Sequence, residues 1–120
     1  MIDSHPNTLR RPVLVLSLLI ALVIAVGSFW PPSEGAGPPG NDKVMHALAF
    51  ATLTLPAALL SWRDLKWVVP AAIIYGAAIE VIQPSFGRSA EWLDFVADLV
   101  GIGCAVLAGA LFKYLKELRK

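Results

Sequence analysis

The residues able to do chemistry fall into short pairs with helical spacing. Asp42 and His46 are four apart, Glu80 and Gln83 three apart, and Asp94 and Asp98 four apart. On an α-helix, residues three or four apart share a face, so each pair would point one way. Lys43 adjoins the first pair, and Arg88 and Ser89 lie between the second and third. A histidine among carboxylates carries the elements of general acid–base catalysis, with His46, Glu80, Asp94 and Asp98 as the candidate catalytic groups. The same four can be read as ligands for a divalent ion such as Zn²⁺ or Mn²⁺, although no HExxH spacing supports it. No other cofactor is suggested. Arg88 and Lys43 suit a phosphate, Arg through two parallel hydrogen bonds. Asp42, His46, Glu80, Gln83, Ser89, Asp94 and Asp98 would complete a ligand-binding set. Ser89 lacks the GxSxG context of an activated nucleophile.

The elements that must position these groups are hydrophobic. Of 120 residues, 57% are hydrophobic and 16% charged, and the mean hydropathy is +0.66. A soluble fold of this length hides only roughly two-thirds of the surface its unfolded chain exposes. The apolar excess therefore calls for lipid. Charges divide the chain into four runs, at about 13–30, 44–62, 67–83 and 92–114. Each approaches the roughly 17–25 residues that a spanning helix needs. The runs lack the alternation of a membrane β-strand. All four tryptophans, Trp30, Trp62, Trp67 and Trp92, stand at run boundaries, where amphipathic rings favour the headgroup layer. The expected fold is all-α, an integral membrane bundle of four transmembrane helices over residues 12–115, between an N-terminal segment 1–11 and a basic tail 116–120.

Lys and Arg set the direction. With both termini cytoplasmic, the inner segments hold Arg10, Arg11, Arg63, Lys66, Lys113, Lys116, Arg119 and Lys120, and the outer loops only Lys43 and Arg88. Positive charge is retained inside, so this orientation is expected. The first run reads as a retained helix, because its uncharged stretch exceeds the ~7–15 residues of a signal-peptide core. The loop 31–40, rich in Pro and Gly, cannot be helical. Asn41 or Asp42 is expected to cap the second helix. The short connection 63–66 makes helices two and three antiparallel neighbours.

This topology puts every candidate site residue on the outer side. At ~1.5 Å per residue, His46, Glu80 and Asp98 lie roughly 3, 6 and 9 Å inside their runs. Small residues extend their faces. Ala72, Gly76, Ile79, Glu80 and Gln83 form one stripe on helix three, and Asp94, Asp98, Gly101, Ala105 and Ala108 another on helix four. Such stripes let helices approach closely in lipid.

Three segments carry a family pattern: DKxxHxxAF from Asp42, YGxxIExxQ from Tyr75, and GRSxxxxDxxxD from Gly87. In order and spacing they resemble the VanZ-like family of small integral membrane proteins, over roughly Asp42 to Ala110. The resemblance implies a protein of the cell envelope, in the cytoplasmic membrane of the cell. It also implies a link to glycopeptide resistance, since the family's founding member is associated with resistance to teicoplanin. Where the family pattern most often has Asn, this chain has Asp98, which adds a negative charge.

Three readings of the polar residues stay open. They can form a structural clamp, in which Arg88 or Lys43 pairs with Asp94, Asp98 or Glu80. They can bind the headgroup of an envelope lipid or a lipid-linked precursor. They can form an intramembrane hydrolase or transferase acting on such a lipid. An ion pathway fits poorly: the inner halves of the runs are apolar except for Ser17, Thr52, Thr54 and Ser61. No nucleic-acid partner is expected, because the basic tail suits anionic lipid. Cys104, the only cysteine, excludes an internal disulfide. Four short helices enclose little volume, which is compatible with a homo-oligomer.

Overall fold

The computed structural model describes residues 9–30, 41–87 and 90–119. Arg88, Ser89, Lys120 and the loop 31–40 lie outside these described residues, as do residues 1–8. Four helices account for most of the described chain: α1 Arg10–Phe29, α2 Asn41–Leu60, α3 Leu65–Ile82 and α4 Trp92–Leu118. No strand occurs among the described residues. A single turn of 3-10 helix, Trp62–Asp64, joins α2 to α3, and another, Gln83–Phe86, follows α3. Gly87 ends that second turn with φ 75°, a left-handed conformation that glycine adopts without steric cost.

Each helix, with its adjoining turn where it has one, is long and apolar enough to cross a membrane. Their outer faces are apolar: Val81 is 78% exposed and Leu107 71%. Exposed apolar surface on this scale is unfavourable in water and favourable against acyl chains. The helices begin and end within a few residues of the expected runs, with two corrections. Asn41 and Asp42 are not caps but belong to the first turn of α2, where the Asp42 carboxylate favours the positive end of the helix dipole. The fourth helix also ends later than the expected run, since α4 continues past 114 to Leu118, into the basic segment 116–120.

The longest interface lies between α2 and α4. A Cβ at Gly101 would stand 2.1 Å from the Ala47 carbonyl oxygen, and one at Gly109 2.5 Å from that of Ala58. Glycine thus permits near-contact of two backbones, as in close helix pairs in lipid. Ala47 meets Gly101 and Ala58, further along, meets Gly109, so α2 and α4 run parallel. α1 and α3 are parallel too. Tyr75 donates its hydroxyl to the Ala21 carbonyl, Gln83 Nε2 donates to that of Ser28 at 3.1 Å, and the Phe29 and Phe86 rings stack at 4.9 Å. The starts of α2 and α4 and the ends of α1 and α3 consequently share one end of the bundle.

The stripe on α3 is buried as expected, through Ala72, Gly76, Ile79, Glu80 and Gln83. On α4, Asp94, Asp98, Gly101 and Ala105 are buried, but Ala108 is exposed and Gly109 takes its place. At ~100° per residue, position 109 lies nearer the line through Asp98 and Ala105 than 108 does. The core behind the stripes is Phe50, Leu53, Ala72, Ile79 and Ile102, with a second cluster around Ala57, Ala58 and Val68.

Candidate functional site

The polar residues at the shared end form two tiers. In the outer tier, Lys43 Nζ reaches Glu91 Oε2 at 2.6 Å, Asp94 Oδ1 at 3.3 Å and Asp42 Oδ2 at 3.4 Å. One ammonium from α2 thereby ties down the start of α4. The backbone N–H of Glu91 also donates to Glu80 Oε2 at 3.2 Å, joining α3. Glu91, Asp42 and Lys43 remain partly exposed, whereas Asp94 is buried.

The inner tier is His46, Glu80 and Asp98. Asp98 is 1% exposed and Glu80 8%. His46 Nδ1 lies 2.8 Å from Asp98 Oδ1, and Nε2 lies 3.8 Å from Asp94 Oδ2. An ionised Asp98 accepts from Nδ1–H, and in the neutral ring that leaves Nε2 as the basic nitrogen. Asp98 also packs on α3: a Cβ on Gly76 would stand 2.8 Å from its Oδ2. Phe50, four residues deeper than His46, and Ile79 are fully buried and form an apolar floor.

The convergence expected from helical spacing is therefore realised for Asp42, Lys43, His46, Glu80, Asp94 and Asp98. Arg88 and Ser89 fall outside the described residues. Gln83, 2% exposed, turns its amide nitrogen to α1. Lys43 corrects an expectation: three carboxylates surround its ammonium, which leaves it poorly suited to receive a phosphate. It supplies instead the ion pair with Asp94 that the clamp reading requires. Glu91 was missed as an ion-pair partner of Lys43, although its three-residue spacing from Asp94 is the same helical signal. Ser28, Tyr75 and Ala21 were also missed, because a carbonyl partner leaves no trace in residue type.

Three buried acceptors have no hydrogen-bond partner among the described residues: Glu80 Oε1, Gln83 Oε1 and Asp98 Oδ2. An unsatisfied buried polar atom costs about 1–3 kcal/mol, more when charged. The opposite end of the bundle is satisfied. Arg10 Nε pairs with Asp64 Oδ1 at 3.2 Å, and Ser61 donates to Asp64 Oδ2 at 2.5 Å. Lys113 lies over the Trp62 ring at 5.2 Å. Between the ends, Thr52 and Thr54 donate to carbonyls four residues back and Ser17 to that of Leu53. No polar file links the two ends through these groups.

An apolar groove of about 370 Å³ lies between α1 and α2, lined by residues that include Leu19, Val23, Met45 and Leu48. Met45 adjoins His46 in sequence, so the groove begins beside the polar layer. Comparison with protein-family models, with curated proteins and with solved structures finds no match to the chain.

Proposed function

We propose that this chain is a VanZ-like protein of the cytoplasmic membrane whose extracytoplasmic polar layer binds the headgroup of an envelope lipid or lipid-linked precursor. The observation that carries the reading is the set of buried acceptors without partners among the described residues, Glu80 Oε1, Gln83 Oε1 and Asp98 Oδ2. Acceptors call for donors, so the headgroup offers hydroxyl, amide or ammonium groups. The apolar groove beside Met45 suits one of its acyl chains. Both termini are cytoplasmic in this reading, which rests on the excess of Lys and Arg at the Arg10, Arg63 and Lys113 end. The family resemblance adds glycopeptide resistance: the bound precursor would be one whose handling alters teicoplanin sensitivity.

Mass spectrometry of lipid co-purified with the native chain tests the reading. A defined envelope lipid retained by the native protein, and lost in Glu80→Gln and Asp94→Asn variants that still insert, is the expected result. Equal lipid content in native and variant proteins would reject it.

A second reading is supported by the His46–Asp98 pair, in which an oriented imidazole keeps Nε2 available as a base. An intramembrane hydrolase or transferase would convert added envelope lipid to a new product. Recovery of that lipid unchanged, but bound, favours the pocket alone.

A further inference from the structure

The two tiers differ in how their negative charge is met. Asp42, Glu91 and Asp94 each offer a carboxylate oxygen within 4.8 Å of the others, and the Lys43 ammonium already bridges all three. One ligand atom each from His46, Glu80 and Asp98 also falls within 4.8 Å of the others. No ammonium or guanidinium among the described residues contacts that inner group. Among the described residues its donors are the His46 ring, spent on Asp98 Oδ1, and the Glu91 amide, spent on Glu80 Oε2. Glu80 Oε1 and Asp98 Oδ2 are left over, on residues more than nine-tenths buried.

We infer that His46, Glu80 and Asp98 form a divalent-cation site, with one ligand from each of α2, α3 and α4. Zn²⁺ bonds to ring nitrogen and carboxylate oxygen at about 2.0–2.2 Å, which puts neighbouring ligand atoms roughly 3–3.5 Å apart. For Nδ1 to ligate, its proton moves to Nε2 and the hydrogen bond to Asp98 Oδ1, now 2.8 Å, gives way to the ion. Glu80 closes the remaining distance by side-chain rotation. Gly76 leaves room at the Asp98 carboxylate that a methyl group would fill. The Phe50 and Ile79 floor keeps water from one side, which strengthens attraction between ion and carboxylates. Imidazole with carboxylates favours Zn²⁺ or Mn²⁺ over Mg²⁺ and Ca²⁺, which prefer all-oxygen shells. Three protein ligands leave a coordination position open. The site shares Glu80 and Asp98 with the headgroup reading but needs no lipid to form.

Zn²⁺ titration of the chelator-stripped full-length protein in detergent tests the site. One ion per chain is expected, with affinity at least tenfold weaker in Glu80→Gln and in Asp98→Asn. Glu91→Gln, which alters only the outer tier, is expected to bind as the native protein does. No saturable uptake by the native protein, or uptake unchanged in the two inner variants, overturns the site. Native protein loaded with Co²⁺ gives a reading free of any folding defect in the variants. Contact-shifted imidazole proton resonances are expected, and Co²⁺ bound without them overturns ligation by His46. Because the titration contains no envelope lipid, its failure leaves the headgroup proposal standing.

Discussion

Gly76 on α3 faces the carboxylate of Asp98 on α4 with no side chain between them; an added Cβ would stand 2.8 Å from Oδ2. The contact is closer than van der Waals distance allows, and Asp98 has few ways to yield. Its other oxygen is held by His46 at 2.8 Å, and its side chain is short. Gly76→Ala is therefore expected to turn Asp98 away from His46 while the helices stay in place. Activity, or ion uptake by the inner tier, should fall at least tenfold, with helicity by circular dichroism unchanged. Full retention of both would mean that the Asp98 geometry is unimportant.

The glycines of α4 give a prediction about stability. Gly101 and Gly109 meet the backbone of α2, where a carbonyl oxygen cannot swing aside, whereas a Cβ on Gly103 would meet nothing within 4 Å. Gly101→Ala and Gly109→Ala should each cost at least the ~1–3 kcal/mol typical of overpacking. Gly103→Ala should be neutral or slightly stabilising, since alanine is the better helix former. Unfolding in detergent measures all three, and equal stabilities would contradict the close α2–α4 seam.

The contrast between these glycines also marks what the sequence could convey. Periodicity in α3 picks out Ala72, Gly76, Ile79, Glu80 and Gln83 because a straight helix meets its neighbours along one line. On α4 it does not separate Ala108 from Gly109, because both lie about 50° from the centre of the stripe Asp94, Asp98, Gly101 and Ala105, and composition alone does not fix the seam. Convergence of Asp42, His46, Glu80, Asp94 and Asp98 followed from counting crossings, which puts the starts of α2 and α4 at one end. Which carboxylate takes Lys43 did not follow, since Glu91, Asp94 and Asp42 all lie within reach of a flexible ammonium. The α1 contacts were hidden as well: Gln83 and Tyr75 bond to carbonyls of Ser28 and Ala21, which any residue type supplies.

Lys43 supports Asp94 more than it does Glu91. The Glu91 side chain is 47% exposed and its ion pair is screened, so Glu91→Gln should change the melting temperature little. Asp94 is 7% exposed at its side chain, and removing the ammonium leaves a buried charge without compensation. Lys43→Met is expected to lower the melting temperature markedly, and Asp94→Asn in the same chain to restore most of it. A double variant no more stable than Lys43→Met would show that the two residues do not act together.

The direction of the bundle in the membrane can be tested with thiol labelling. Cys104 is exposed on α4 and must first be replaced by Ser, so that each introduced thiol reports alone. Glu91→Cys and Arg63→Cys then mark the two ends, because Glu91 lies with the polar tiers and Arg63 in the turn beside Asp64. The proposed orientation, argued from the excess of Lys and Arg, puts the Arg63 end in the cytoplasm. An impermeant maleimide added to intact cells should label the Glu91→Cys protein. It should reach the Arg63→Cys protein only after the membrane is opened. The reverse pattern would put His46, Glu80 and Asp98 on the cytoplasmic side, where an extracytoplasmic headgroup could not reach them.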